Sequence, residues 1–246
     1  MTSYNNPPFV EAVCEIRFTS NNEEWDVMYP SQYYEAIKDK FPNKKTEKSE
    51  QIRIEVTPNG IQQASVPQYV LKGENHEQNL SVRFSNDLLL LNTVKPYMLW
   101  DKFKEHILFC FEAYKNLIHP QTFQRLSLRY INKLNAGEQH SYQAMKEIFI
   151  LRPHIPEDVT ILPNSIQMAL EIPFENQRDF LAIQQATLLP EPNMSAPMLF
   201  DIAYTTVDAT LISFNNFSEW LDNAHGKIES IFENSLTDKV KSTFNN

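Results

Sequence analysis

RLSLRYINKL, residues 125–134, reads as a β-strand with an arginine in its middle. The residues beside Arg129 are apolar and face one way, while Ser127 and Arg129 face the other. A near-echo, AVCEIRFTSN, occupies residues 12–21. There Ala12, Cys14, Ile16 and Phe18 point one way, and Val13, Glu15, Arg17 and Thr19 point the other. Ile16-Arg17-Phe18 thus lines up with Leu128-Arg129-Tyr130.

The pattern between the echoes supports a repeat. The first strand, Val10 to Thr19, is followed by a helical pattern from Pro30 to Phe41, with Pro30 in the first turn and Pro42 as a stop. QIRIEV (51–56) and SVPQYVLKGE (65–74) read as strands around a PNG turn at 58–60, Pro67 marking an edge or a bulge. LSVRFS and DLLLLNTV form a hairpin turning at Asn86-Asp87. A long helix follows between Pro96 and Pro120. Its stripe is Trp100, Phe103, Ile107, Cys110, Tyr114 and Leu117. The order then restarts: the quoted strand, a short helix in SYQAMKEIFIL, the connector RPHIPEDVTILPN, strands in SIQMALEIPF, DFLAIQQATLL and APMLFDIAYTTV, and a closing helix from Phe217 to Val240. Each half ends on a helix with a tryptophan in its first turn. A degenerate duplication accounts for this order, with halves 1–120 and 121–246 forming one compact unit.

The fold expected is α+β, with curved antiparallel sheets, long helices on one face, and two similar halves. Strand–helix–meander–helix is also the order of each half of a TATA-binding-protein-like fold, an analogy that carries no function.

Composition excludes several functions. The formal net charge is −9, and the densest basic run, KDKFPNKK, is followed at once by EKSE. Nucleic-acid binding needs a basic footprint, so that class is disfavoured. Only four glycines occur, too scattered for a phosphate-cradling loop, and there is no G-x-S-x-G elbow. No run approaches the roughly 18 apolar residues of a membrane span. MTSYNNPPFVEAV lacks the basic start and apolar core of a signal peptide, so a cytoplasmic protein is expected.

NPPFVEAVCEIRF near the start, Trp25 and Pro30 after it, PYMLWDKF, and LRYIN in that order resemble a sporadically distributed prokaryotic family of uncharacterised proteins of about this length. The resemblance covers Pro7 to Asn132 and thins beyond. It implies a stand-alone cytoplasmic protein, and it implies no activity and no catalytic residues.

The candidate site is a set of strand arginines, Arg17, Arg53, Arg83 and Arg129, with Asn132 beside the last. With helices over the apolar face, the other face would carry Glu15, Arg17, Arg53, Glu55, Ser81, Arg83, Ser127, Arg129 and Gln167. Guanidinium forks grip carboxylate or phosphate two-pronged, so this face would recognise an acidic ligand or a partner's acidic segment. The plainer reading is cross-strand pairing with Glu15 and Glu55, each pair contributing roughly 0.2–1 kcal/mol.

Other candidates read more simply. Cys14 and Cys110 lie in apolar patterns and read as buried thiols, not a disulfide or a nucleophile. No histidine spacing matches a metal site, and His225 with Glu229 reads as a solvated helix pair. Glu23, Glu24 and Asp26, or Glu157 and Asp158, are carboxylate pairs of the kind loops carry in water. The aromatics of WDVMYPSQYY line a pocket or pack a helix on the sheet. No cofactor or metal is implied.

The reading is therefore a binding or interaction protein that uses the open sheet face or the cleft between halves. Self-association or a protein partner is expected, because an open sheet face with large residues is seldom bare. The alternatives are an enzyme of unfamiliar type, such as a metal-independent hydrolase or a nuclease-like effector from a mobile or defence locus, and a structural subunit that acts only in a complex.

Overall fold

The computed structural model describes residues 4–19, 26, 28–57, 60–96, 98–156, 158 and 164–245, and over 46–57 and 60–70 the backbone alone. Nine strands form one sheet: β1 (Phe9–Thr19), β2 (Asn43–Thr57), β3 (Gly60–Glu74), β4 (Leu80–Phe84), β5 (Leu88–Val94), β6 (Thr122–Asn135), β7 (Gln167–Phe174), β8 (Asp179–Thr187) and β9 (Pro197–Thr206). The order across the sheet is β2-β3-β4-β5-β1-β6-β9-β8-β7, and every pair is antiparallel. The two echo strands, β1 and β6, therefore lie side by side at the centre. Sheet and helices make a mixed α+β fold.

Period-two alternation divides the sheet's faces. Ala12, Cys14, Ile16 and Phe18 of β1 are buried, as are Leu126, Leu128 and Tyr130 of β6 and Leu89 and Leu91 of β5. Register places them opposite one another, Cys14 facing Leu91 on one side and Leu128 on the other. Among the described residues, five α-helices lie on this side of the sheet. They are α1 (Tyr29–Ile37), α2 (Trp100–Ile118), α3 (Tyr142–Ile148), α4 (Phe217–Ser235) and α5 (Asp238–Thr243).

Each helix follows from its sequence. In α2 the buried stripe is Phe103, Ile107, Cys110, Phe111 and Tyr114, one face of a 3.6-residue period. It ends where His119 turns left-handed (φ 50°) and its N–H reaches Lys115 O, just before Pro120. Pro30 occupies the first turn of α1, where a missing N–H costs nothing. Ser141 caps α3 by accepting from the Ala144 N–H, and Thr237 caps α5 by accepting from the Val240 N–H. Phe217, Trp220, Leu221, Ala224, Ile228 and Phe232 are the buried apolar stripe of α4.

Aromatics tie the two long helices to the central strands. Phe18 stacks on Tyr114 of α2 with ring centroids 4.3 Å apart, and lies 5.7 Å from Phe123 of β6. Phe111 of α2 meets Phe217 of α4 at 4.8 Å. Buried rings contribute area and, in such pairs, about 0.5–1.5 kcal/mol more. Gly73 is a close approach: a Cβ there would stand 3.1 Å from Phe41 Cβ and 3.3 Å from Val82 Cγ1.

Several element boundaries differ from the sequence reading. The closing helix expected over 217–240 is broken at Leu236, which is extended, into α4 and α5. The first helix ends at Ile37, and the chain reaches Phe41 through a turn in which the Lys40 and Phe41 N–H groups bond Ile37 O. β2 starts at Asn43, ahead of QIRIEV, because it pairs with β3 along its whole length. It is an edge strand, and its lysine-rich start suits an edge that must not pair further. Pro58 and Asn59 of the expected turn, and Trp25, lie outside the described residues. No described helix is long and apolar enough to cross a membrane.

Candidate functional site

The sheet's second face is left open by the helices. Register aligns its side chains in rows. Arg17 of β1 stands directly opposite Arg125 of β6. In the next row Arg83, Leu90, Glu15, Ser127, Thr205 and Phe180 follow one another across six strands. In the row after it come Ser81, Asn92, Val13, Arg129, Ala203 and Ala182. Small side chains at Val13, Ser127, Ala182 and Ala203 let the surface dip. The result is an open cavity of about 270 Å³ walled by Glu15, Arg125, Arg129, Phe180, Gln184 and Asp201.

The arginines on this face are unequally satisfied. Arg129 donates from Nε to both carboxylate oxygens of Asp201, at 2.9 and 3.0 Å, and from a terminal nitrogen to Oδ2 at 2.5 Å. The Asp201 side chain is 4% exposed and that of Arg129 47%. This pair raises the arginine's pKa, Asp201 outweighing burial. Arg17 donates from Nε to Glu15 at 3.1 Å and lies 3.8 Å from Asp87. Arg83 donates to Asn92 Oδ1 at 3.1 Å. Arg125 is 51% exposed, and its nearest carboxylate among the described residues is Glu15 at 4.0 Å. At that distance and exposure an ion pair contributes about 0–1 kcal/mol.

The sequence set is thus split by the structure. Arg17, Arg83 and Arg129 do share the open face. Arg17 and Arg129 sit on the central strands, whereas Arg83 is on β4, with β5 between it and β1. Arg53 lies in β2 opposite Ala64, and its side chain is outside the described residues. Asn132 is not beside Arg129 on this face. Three residues along a strand reverse the direction, so Asn132 is buried on the helix-covered side, where its amide donates to Phe200 O at 3.2 Å. The expected partner Glu15 does pair with Arg17, but Asp87 and Asp201 were not foreseen. Nor was Arg125, which the parity of Arg129 places on the same face.

The remaining candidates settle as packing. Cys14 and Cys110 are free and fully buried, and burial pushes both thiols up, Cys110 to about 12. Tyr33, of the aromatic run, is buried and stacks on Phe84 at 4.3 Å. His225 is a correction, because it is buried, not solvated. It stacks on Trp100 at 4.2 Å, its Nδ1 is 3.3 Å from the Tyr130 hydroxyl, and Glu229 is 4.0 Å from its Nε2. Desolvation lowers its pKa to about 4, against the opposing pull of Glu229. No group of three metal-ligating side chains occurs among the described residues. Glu23, Glu24 and Glu157 lie outside them.

A scan of protein-family models finds none that matches this chain, and a search of curated proteins finds no match either.

Proposed function

We propose that this is a binding protein, without chemistry of its own, that takes an acidic segment of a protein partner on the open sheet face. Arg125 is the anchoring cation. The carrying observation is that Arg17 and Arg125 face each other across β1–β6, while the Glu15 carboxylate is engaged by Arg17 at 3.1 Å and is 4.0 Å from Arg125. Like charges directly opposed on a sheet repel. A carboxylate arriving between them removes that repulsion and fills the Arg125 fork two-pronged. The dip beside them, floored by small side chains, gives an extended segment room to lie against the strands.

The two-half arrangement belongs to the same proposal. The echo strands lie side by side at the sheet centre, and α2 and α4 each carry a tryptophan in the first turn, at Trp100 and Trp220. This order supports halves 1–120 and 121–246 as degenerate copies of one TATA-binding-protein-like unit. The resemblance to the sporadic prokaryotic family supports a stand-alone cytoplasmic protein and adds no activity.

The test is fluorescence anisotropy with a labelled hexaglutamate peptide, against hexalysine as control. Hexaglutamate binding that is lost in Arg125→Ala supports the reading. Equal binding of both peptides, or binding indifferent to Arg125, overturns it. The chain's net charge of −9 repels acidic probes in general, so any attraction must be local.

A further inference from the structure

The two ends of the sheet are built differently. β2, at one end, begins NKKTEKSE and carries charge along its edge. β7, at the other, reads QMALEIPF and carries one charge, Glu171. Nothing among the described residues pairs with the outer side of β7. Flanking the central pair β1 and β6 stand four strands on the first side, β5, β4, β3 and β2, and three on the second, β9, β8 and β7.

The phase of β7 says which backbone groups are unspent. Thr187 N–H bonds Ile166 O at 3.0 Å, so the even-numbered residues Met168, Leu170 and Ile172 turn their N–H and C=O toward β8. Gln167, Ala169, Glu171 and Pro173 turn theirs outward. Pro173 has no N–H to give, and it sits where none is owed to β8. The side chains follow the same parity. Met168, Leu170 and Ile172 lie on the helix-covered side, and Leu170 remains 37% exposed. An edge of this kind, with unspent donors and acceptors, little charge and an exposed leucine, is a template for strand addition.

We propose that β7 pairs antiparallel with β7 of a second copy of this chain, about a two-fold axis through Leu170. The sequence is self-complementary in that register. Leu170 faces the second copy's Leu170, and Met168 faces the second copy's Ile172, so one apolar row runs across the seam. Ala169 and the second copy's Glu171 exchange N–H···O bonds in both directions. Gln167 N–H bonds the second copy's Pro173 O, so the missing proline donor falls at the end of the ladder, where it costs least. The two Glu171 carboxylates are diagonal, each opposite an alanine. Such an interface is isologous and closes at two subunits.

The test is sedimentation equilibrium of the full-length protein at micromolar concentrations, with Leu170→Lys and Arg125→Ala beside the unmodified chain. The expected result is a dimer that Leu170→Lys weakens at least tenfold and Arg125→Ala leaves unchanged. Circular dichroism and thermal melting confirm that Leu170→Lys is folded. Amide exchange gives a second readout. In the dimer the outward N–H groups of Gln167, Ala169 and Glu171 are protected along with those of Leu170 and Ile172. In Leu170→Lys the outward three exchange fast, while the N–H groups at positions 170 and 172 stay protected by β8. A monomer throughout the concentration range overturns the proposal. So does a dimer that survives Leu170→Lys with fast exchange at Ala169 and Glu171. Loss of the dimer in Arg125→Ala places the contact on the open face and also overturns it.

Discussion

Arg17 and Arg125 stand directly opposite each other across the β1–β6 seam, with the Glu15 carboxylate 3.1 Å from one guanidinium and 4.0 Å from the other. Arg129, two pleat repeats further along β6, is tied instead to the buried Asp201. Two arginines on one strand therefore differ in duty, and substitution separates them.

Arg129→Ala leaves the Asp201 carboxylate buried and unpaired, and costs about 1–3 kcal/mol. Arg125→Ala removes a half-exposed side chain with one weak contact, and changes stability by about 0.5 kcal/mol or less. Chemical denaturation of both variants checks this. Equal losses would mean that Asp201 does not depend on its fork, and would dissolve the distinction on which the site assignment rests.

His225 makes stability fall with acid. Its pKa drops from 6.5 in the unfolded chain to about 4 in the fold, because burial against Trp100 disfavours the imidazolium. Above about pH 6.5 neither state holds the proton, and the group contributes no pH dependence. Between 6.5 and 4 the unfolded state binds it first, so stability declines as pH falls, by about 3 kcal/mol in all. His225→Phe keeps a ring against Trp100 and removes the titration. Melting temperature followed from pH 7 to pH 4 should fall less steeply in that variant than in the parent, and parallel curves would refute the assignment.

Cys14 and Cys110 are fully buried on the core face. Neither should react with an aromatic disulfide reagent in the native protein, and both should react in denaturant. A thiol that titrates rapidly under native conditions would show that the β1–α2 core opens.

Gly73→Ala places a methyl group against Phe41 Cβ and Val82 Cγ1. The first of these is fixed to the backbone, so the contact is relieved only by moving the turn after α1 away from β3. A loss of about 1–3 kcal/mol is expected in denaturant titration. A neutral result would mean that this turn packs more loosely than its distances suggest.

Much of the architecture was legible because alternation is a local signal. The parity of β1 and β6 identified the buried set and put Arg17 and Arg129 on the opposite face. Partner choice was not legible. Asp201 reaches Arg129 only because β9 lies beside β6, and strand order is set by packing that no window of sequence contains. Asp87 reaches Arg17 from the β4–β5 turn for the same reason. Asn132 is different, since parity alone separates it from Arg129. The buried state of His225 depends on Trp100 of the other long helix, and a contact between helices over a hundred residues apart leaves no trace in either one's spacing. The early start of β2 was hidden by its charge, which marks an edge as much as a loop.

The most direct test of the open-face assignment is an amide chemical-shift titration of the uniformly labelled protein with hexaglutamate, at about 0.15 M salt, where only contacts within roughly 8 Å of a charge survive screening. The account predicts shifts gathered at Arg125, Ser127, Ala203 and Thr205, and their disappearance in Arg125→Ala. Shifts dispersed over the surface, shifts on the helix-covered side, or a titration unchanged by that substitution would contradict it.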